Sequence, residues 1–194
     1  MKFQNRPNQS IVHEGKERWL ARSVAVVVIP IFRLPNNSRH IPVGVRSTST
    51  PDHQGKFGLV CGYLDWDESA TQACIRETWE ELGLNLSDYI KRDNDVYPYF
   101  VQSDPTQDDR QNVTLRYRFM IDVPDLPILT PSAEVKSVHW IEGNSAMLLN
   151  NIGYGNFAFN HGDLLIDAFS QALHLSRKFK YDANGTLMVV DKND

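Results

Sequence analysis

A single domain mixing strands and helices, of the α/β or α+β class, is predicted by three features of the sequence. Residues 18–32 carry the Val- and Ile-rich run "VAVVVIPIF", the pattern of a strand buried on both faces. Residues 112–122 alternate, with Val113, Leu115, Tyr117 and Phe119 set between Thr114, Arg116 and Arg118, the period of two of a half-exposed strand. Residues 161–179 place Leu165, Ala168, Phe169, Ala172 and Leu173 on one stripe of an amphipathic helix. The chain's 194 residues suffice for one such domain with a sizeable core.

The remaining elements follow in order. Residues 1–16 are polar and aperiodic and read as a flexible N-terminal arm, leaving 17–194 as a single domain. "LPNNSRH" (34–40) is a turn by composition, "IPVGVRST" (41–48) a second strand and "STPDHQGKF" (49–57) a loop. "GLVCGYL" (58–64) is a short apolar strand that runs into an acidic stretch. "VYPYFVQS" (96–103) pairs plausibly with 112–122 across the polar linker 104–111. Three prolines make 123–131 loop or edge, and "VKSVHWIE" (135–142) is a further strand. Asn184-Gly185 between two alternating runs signals a hairpin at the tail.

Composition narrows the function classes. The formal net charge of −4 does not suit a protein that grips duplex nucleic acid or an anionic membrane through bulk charge. The longest apolar run is too short to span a bilayer, and the first residues lack a signal-peptide core, so a cytoplasmic location is expected. Two cysteines, Cys61 and Cys74, are too few for a disulfide framework and read as small buried hydrophobes.

The acidic stretch "GYLDWDESATQACIRETWEELGL" (62–84) carries the chemistry. Ser69 and Gln72 form a capping-box pair, and Gly83 is placed to end the helix in a left-handed turn, so a helix over roughly 70–82 is predicted. Glu77, Glu80 and Glu81 then share a sector of roughly 100°. Ala73 below them leaves that face open, while Ile75, Thr78, Trp79 and Leu82 point towards a core on the other side. Like charges at these spacings destabilise a helix by a few tenths of a kcal/mol per pair, at the wrong end of its dipole. Local propensity does not explain them. Spacing alone leaves two readings open, a solvated face and a site for hard divalent cations.

The stretch resembles the Nudix box, Gly-x5-Glu-x7-Arg-Glu-U-x-Glu-Glu-x-Gly-U, where U is a bulky aliphatic residue. Gly62, Glu68, Arg76, Glu77, Glu80, Glu81 and Gly83 stand in register, with Leu84 at the last U and Thr78 departing from the first. The resemblance implies a Nudix-type α/β/α sandwich around a mixed β-sheet. It implies a metal-dependent pyrophosphohydrolase acting on a nucleoside diphosphate linked to another moiety, with Mg²⁺ or Mn²⁺ as cofactor. Glu77, Glu80 and Glu81 resemble the metal ligands, with the Cys61 carbonyl as a backbone ligand; Glu77 could also assist as base. Glu68 and Arg76 resemble the ion pair joining loop to helix, and Gly62 and Gly83 are backbone devices. Asp65 and Asp67 read as ordinary loop residues. Glu134 resembles the carboxylate that members supply ahead of a Trp-bearing strand, as base or extra ligand, with Asp108 and Asp109 as alternatives and a plain surface role as the bland reading.

Substrate choice lies outside the box. Pro98 falls where ADP-ribose-type members carry a proline, a lean resting on one residue. Tyr97 and Tyr99 could stack on a base or pack in the core. Tyr63 and Trp66 fit a rim, Trp79 and Trp140 a core, and His161 a cap at the start of the last helix. A Nudix-fold nucleotide sensor without turnover is the alternative function. Homodimers are frequent in the family, though nothing in the sequence locates an interface.

Overall fold

The computed structural model describes residues 9–20, 22–90, 96–104, 112–143 and 154–172, together with the backbone of 177–181 and 187–191. Its centre is strand β3 (Val24–Arg33). β3 runs parallel to β8 (Val113–Asp122) along its whole length. On its other edge it pairs antiparallel first with β6 (Val60–Tyr63) and then, at Phe32 and Arg33, with β4 (Arg39–Arg46). β4 continues the sheet to β5 (Phe57–Gly58) and β9 (Val135–Glu142), and β7 (Pro98–Gln102) closes the far side against β8. The result is a seven-stranded mixed sheet.

The Val-rich run is central because both faces of β3 are covered. Val26, Val28 and Phe32 enter the core beneath helix α1 (Ala70–Leu82), while Val27, Ile29 and Ile31 enter the core beneath helix α2 (His161–Ala172). One helix per face gives the α/β/α sandwich. Strand β8 divides the same way, with Leu115, Tyr117 and Ile121 in the α1-side core. Its polar face is not a solvent face, as the alternation suggested. Arg118 reaches Asp167 of α2 at 2.9 Å and lies over the Tyr99 ring.

Three elements differ from the sequence reading. The segment 18–32 is two strands: β2 (Lys16–Leu20) leaves the main sheet and pairs with β1 (Gln9–His13) in a separate hairpin. The expected loose arm is therefore a paired strand over its described part. Glu14 and Gly15, at φ 51° and 73°, make the tight turn that Asn-Gly would have advertised. The run 58–64 is broken at Leu59 into β5 and β6, which pair with different neighbours. Helix α2 is described as far as Ala172 and does not reach 179, because Arg177–Tyr181 forms strand β10, antiparallel to β11 (Leu187–Asp191). The tail hairpin is thus present, with Asn184 and Gly185 outside the described residues. Among the described residues, no helix is long and apolar enough to cross a membrane.

Candidate functional site

Helix α1 begins and ends as its sequence demands. Ser69 Oγ accepts from the Gln72 amide at 3.2 Å, and the Ser69 amide in turn donates to Gln72 Oε1 at 2.8 Å. Gly83 takes a left-handed φ of 63° and donates to the Trp79 carbonyl at 2.9 Å. A Cβ there would also lie 2.8 Å from Thr130 Cβ, so the position tolerates no side chain on two grounds.

The helix is rolled relative to the sequence expectation. Its buried line runs through Thr71, Ala73, Cys74, Glu77, Thr78 and Leu82. Successive side chains turn by about 100°, which centres that line near Glu81 and Cys74, roughly a quarter turn from the expected core face. Trp79 consequently sits on a flank, 58% exposed, and Ala73 is fully buried. Glu77 and Glu81 point towards the sheet, and Glu80 stays outside. Thr78 replaces the family's aliphatic residue without an orphaned hydroxyl, because its Oγ1 donates to the Cys74 carbonyl at 2.7 Å.

Arg76 gathers the loop and the acids. Its Nε and Nη2 donate to the two oxygens of Glu68 at 2.7 and 2.9 Å, and Nη2 also reaches the Tyr63 carbonyl at 2.9 Å. Its Nη1 donates to Glu77 at 2.8 Å and to Glu80 at 2.9 Å. Glu68 is held below the usual carboxylate range, chiefly by the Arg76 hydrogen bonds, and Glu68 in turn raises the guanidinium further above its own ordinary value. Asp65 donates its amide to Glu68 at 3.0 Å and brings its carboxylate within 3.7 Å of Arg76, so it belongs to the clamp more than a plain loop residue would.

The inward carboxylates behave oppositely. Burial raises Glu77, and Arg76 only partly restores it. Glu81 is pushed up to about 8, first by burial and then by the charge of Glu77. The charge of Glu134 bears on both from the exposed rim, where its carbonyl accepts from the Ser47 amide at 2.9 Å. Glu81 Oε1 accepts from the Cys61 amide at 3.4 Å, and a Cβ on Gly62 would land on the Glu77 carboxylate. Glycine at 62 is what lets that carboxylate lie on the β6 backbone.

The residues present fit a hard divalent cation. Crowded carboxylate oxygens with too little positive charge around them are the donors such ions take. Among the described residues, no three His, Cys, Asp or Glu side chains stand ready-made as a metal cage. Glu80 is engaged by Arg76 outside while Glu77 and Glu81 lie inside.

The other sequence-predicted residues spread around this centre. Tyr63 and Trp66 are exposed beside the box, with Arg18 of β2 stacked over Trp66 at 5.1 Å. Trp140 packs edge-on against Phe32, as a core residue would. Tyr97 is exposed, whereas Tyr99 packs against the α2-side core. His161 does more than cap: its buried Nδ1 accepts from the Leu59 amide at 3.0 Å, tying α2 to the sheet. Burial, then the charge of Arg46, holds it neutral at a pKa of about 3. Cys74 is fully buried and Cys61 partly so. Asp108 and Asp109 lie outside the described residues. Sequence reasoning passed over Arg46, which pairs with Asp52 at 2.7 Å and whose charge reaches Glu81. Nothing in "STPDHQGKF" marks that loop as a neighbour of the acids.

Comparisons with known proteins agree with this fold. The NUDIX domain family model matches residues 22–158. No curated protein matches the chain. Among solved structures, a MutT/nudix family protein from Enterococcus faecalis is 19% identical with a TM-score of 0.60, covering 81% of this chain and 64% of that one. A bifunctional NMN adenylyltransferase/ADP ribose pyrophosphatase from Francisella tularensis, solved with AMP and a manganese ion, is 22% identical with a TM-score of 0.60, covering 78% of this chain and 42% of that one. The NUDIX domain of Shewanella oneidensis NrtR, solved with ADP ribose, is 21% identical with a TM-score of 0.57, covering 78% and 89%. The match therefore spans less than two thirds of the first two proteins. At these identities the structural likeness speaks for the fold, and the family model together with the box in register carries the assignment: the chain belongs to the Nudix hydrolase family.

Proposed function

We propose that this protein is a metal-dependent pyrophosphohydrolase that cleaves the diphosphate bond of a nucleoside diphosphate linked to another moiety, with ADP-ribose-like compounds as the leading substrates. The observation that carries this reading is the pair of inward acids: the Glu77 carboxylate lies where a Cβ on Gly62 would fall, and Glu81 accepts from the Cys61 amide at 3.4 Å. A fold that only needed a helix at this place would gain by replacing them with apolar residues. Their retention beside the Cys61 backbone makes sense as an oxygen-donor set for Mg²⁺ or Mn²⁺.

A bound divalent cation supplies charge neutralisation of the diphosphate oxygens and a water that loses its proton near neutral pH. The chain's own residues do the rest. Arg76 and Glu68 lock the 62–69 loop to α1, so the Cys61 carbonyl and the three glutamates keep a fixed relation. In this reading Glu134 takes the proton of the attacking water; what supports it is its exposed rim position and a charge that bears on both Glu77 and Glu81. The lean towards ADP-ribose rests on Pro98, which opens β7, and on two relatives that carry ADP ribose in their names or crystals.

The test is release of AMP from ADP-ribose in the presence of Mg²⁺, with sugar nucleotides and dinucleoside polyphosphates alongside. Glu81→Gln and Glu80→Gln are expected to lower turnover by about 100-fold or more while the melting curve survives. Unchanged activity in both variants sinks the proposal, and tight binding without turnover by the intact protein identifies a sensor instead.

A further inference from the structure

The charge of Glu134 bears on Glu77 and Glu81, yet nothing grips the Glu134 side chain itself. The residue is exposed, and among the described residues its carboxylate takes no hydrogen bond or ion pair. It lies just before β9, outside any helix or strand. A carboxylate in this setting is placed only as well as its backbone is placed.

That backbone is held by the loop 47–55. The Ser47 amide donates to the Glu134 carbonyl at 2.9 Å. The Ser47 and Ser49 hydroxyls lie 2.6 Å apart, and both stand within reach of the Ala133 carbonyl, at 3.0 and 3.2 Å. Each hydroxyl has one proton, so one serine donates to the other and that one donates to the carbonyl. The Glu134 amide donates to Ser132 Oγ at 3.3 Å. The peptide groups before and after the Glu134 Cα are thus both tied, which leaves its Cα–Cβ bond little room to swing.

The loop is stiff enough to serve as an anchor. Thr50 Oγ1 donates to the Ser47 carbonyl at 2.9 Å, and Gln54 Nε2 donates to the Thr48 and Thr50 carbonyls at 3.0 and 2.8 Å. Arg46 Nε and Nη2 close the loop on Asp52, at 3.1 and 2.7 Å. Strands β4 and β9 slip register between Val45 and Arg46, which sets Arg46 opposite Val135, directly after Glu134. Such irregularities recur where a strand end is re-aimed beside a site.

A general base works only within hydrogen-bond reach of the proton it takes, and a small displacement costs rate more than binding. Resting on the hydrolase reading and deepening it, we propose that Ser47 is a positioning residue. With Ser49 it holds the Ala133–Glu134 backbone so that the Glu134 carboxylate stays within charge reach of the α1 acids. The two serines act through Glu134 alone.

Steady-state kinetics with Mg²⁺, on the best of ADP-ribose, sugar nucleotides and dinucleoside polyphosphates, and calorimetry with Mn²⁺ alone test it. Glu134→Gln lowers kcat about 100-fold, the low end for a general base. Ser47→Ala combined with Ser49→Ala lowers kcat about tenfold with KM within about threefold, because the carboxylate is displaced and not lost. Ser47→Thr, which keeps the hydroxyl, stays within about threefold of the intact protein. In the Glu134→Gln background the serine pair costs less than about twofold more, since the group it acts through is gone. Mn²⁺ affinity follows the same pattern on a smaller scale: Glu134→Gln weakens it about threefold, the serine pair by up to that factor, and the combination no further. An equal tenfold loss of kcat in the Glu134→Gln background overturns the proposal, as does a loss carried by KM, or an unchanged kcat in the serine pair or in Glu134→Gln. Absence of turnover by the intact protein overturns the hydrolase reading, and the Mn²⁺ titrations then decide alone: non-additive losses leave Ser47 in its role, and additive or absent ones remove it.

Discussion

The two helices bury their inner faces against opposite sides of one sheet, and they do it with different chemistry. Helix α2 presents Leu164, Leu165, Ala168 and Phe169, an apolar stripe that closes its core directly. Helix α1 covers its core with Ala73, Cys74 and Leu82 but also turns Glu77 inward, only 9% exposed. Burying an acid disfavours its charged form, so α1 is the less stable solution locally. The difference shows where stability is given up for a site: the fold tolerates charge at the seam between α1 and β6.

That contrast can be broken from either side. Phe169→Ala is expected to have the largest effect on stability, a loss of about 3–5 kcal/mol in chemical denaturation, because the ring is 1% exposed and fills the α2 core. Arg76→Gln severs bonds to Glu68, Glu77, Glu80 and Tyr63 at once. It should destabilise by about 2–3 kcal/mol and sharply reduce activity, since it leaves the acids uncompensated. A melt that drops no further than for an ordinary surface variant would show that the clamp is decorative.

The pH dependence separates the two sides more finely. His161 has an ordinary pKa of 6.5 and about 3 in the fold, so the folded state resists its protonation. Its contribution is complete above about pH 6.5 and is lost as the pH falls towards 3, by up to about 1.4 kcal/mol per pH unit. Denaturation midpoints of His161→Gln, which keeps an acceptor for the Leu59 amide, should fall less steeply over that window. Thr78→Val is the smallest change, within about 1 kcal/mol, because the hydroxyl bonds only its own helix at the Cys74 carbonyl. A larger loss would mean that the hydroxyl matters beyond this bond.

Much of α1 was legible because its signals are local. Ser69 with Gln72 and Gly83 bound a helix whose ends the structure reproduces to the residue, and the glutamate spacing followed. The roll of the helix was not legible. A wheel built on Ile75, Thr78, Trp79 and Leu82 follows hydrophobicity, whereas the observed roll follows the space that Gly62 leaves on β6 for the Glu77 carboxylate. The partition of residues 18–32 failed for a related reason: "RWLARS" carries no glycine or proline to mark a break, and β2 and β3 part company through the strands they meet.

By itself the sequence determined the box, its caps, the Val-rich central strand and the apolar stripe of α2, all patterns written within a few residues of one another. Tertiary structure alone decided that Glu77 and Glu81 face inward, that His161 binds the sheet, and that Ser47 binds the Glu134 backbone. Those facts depend on strand register and on contacts between residues far apart in the chain. A sequence specifies them only through the energy of the whole packed fold, so no short stretch records them.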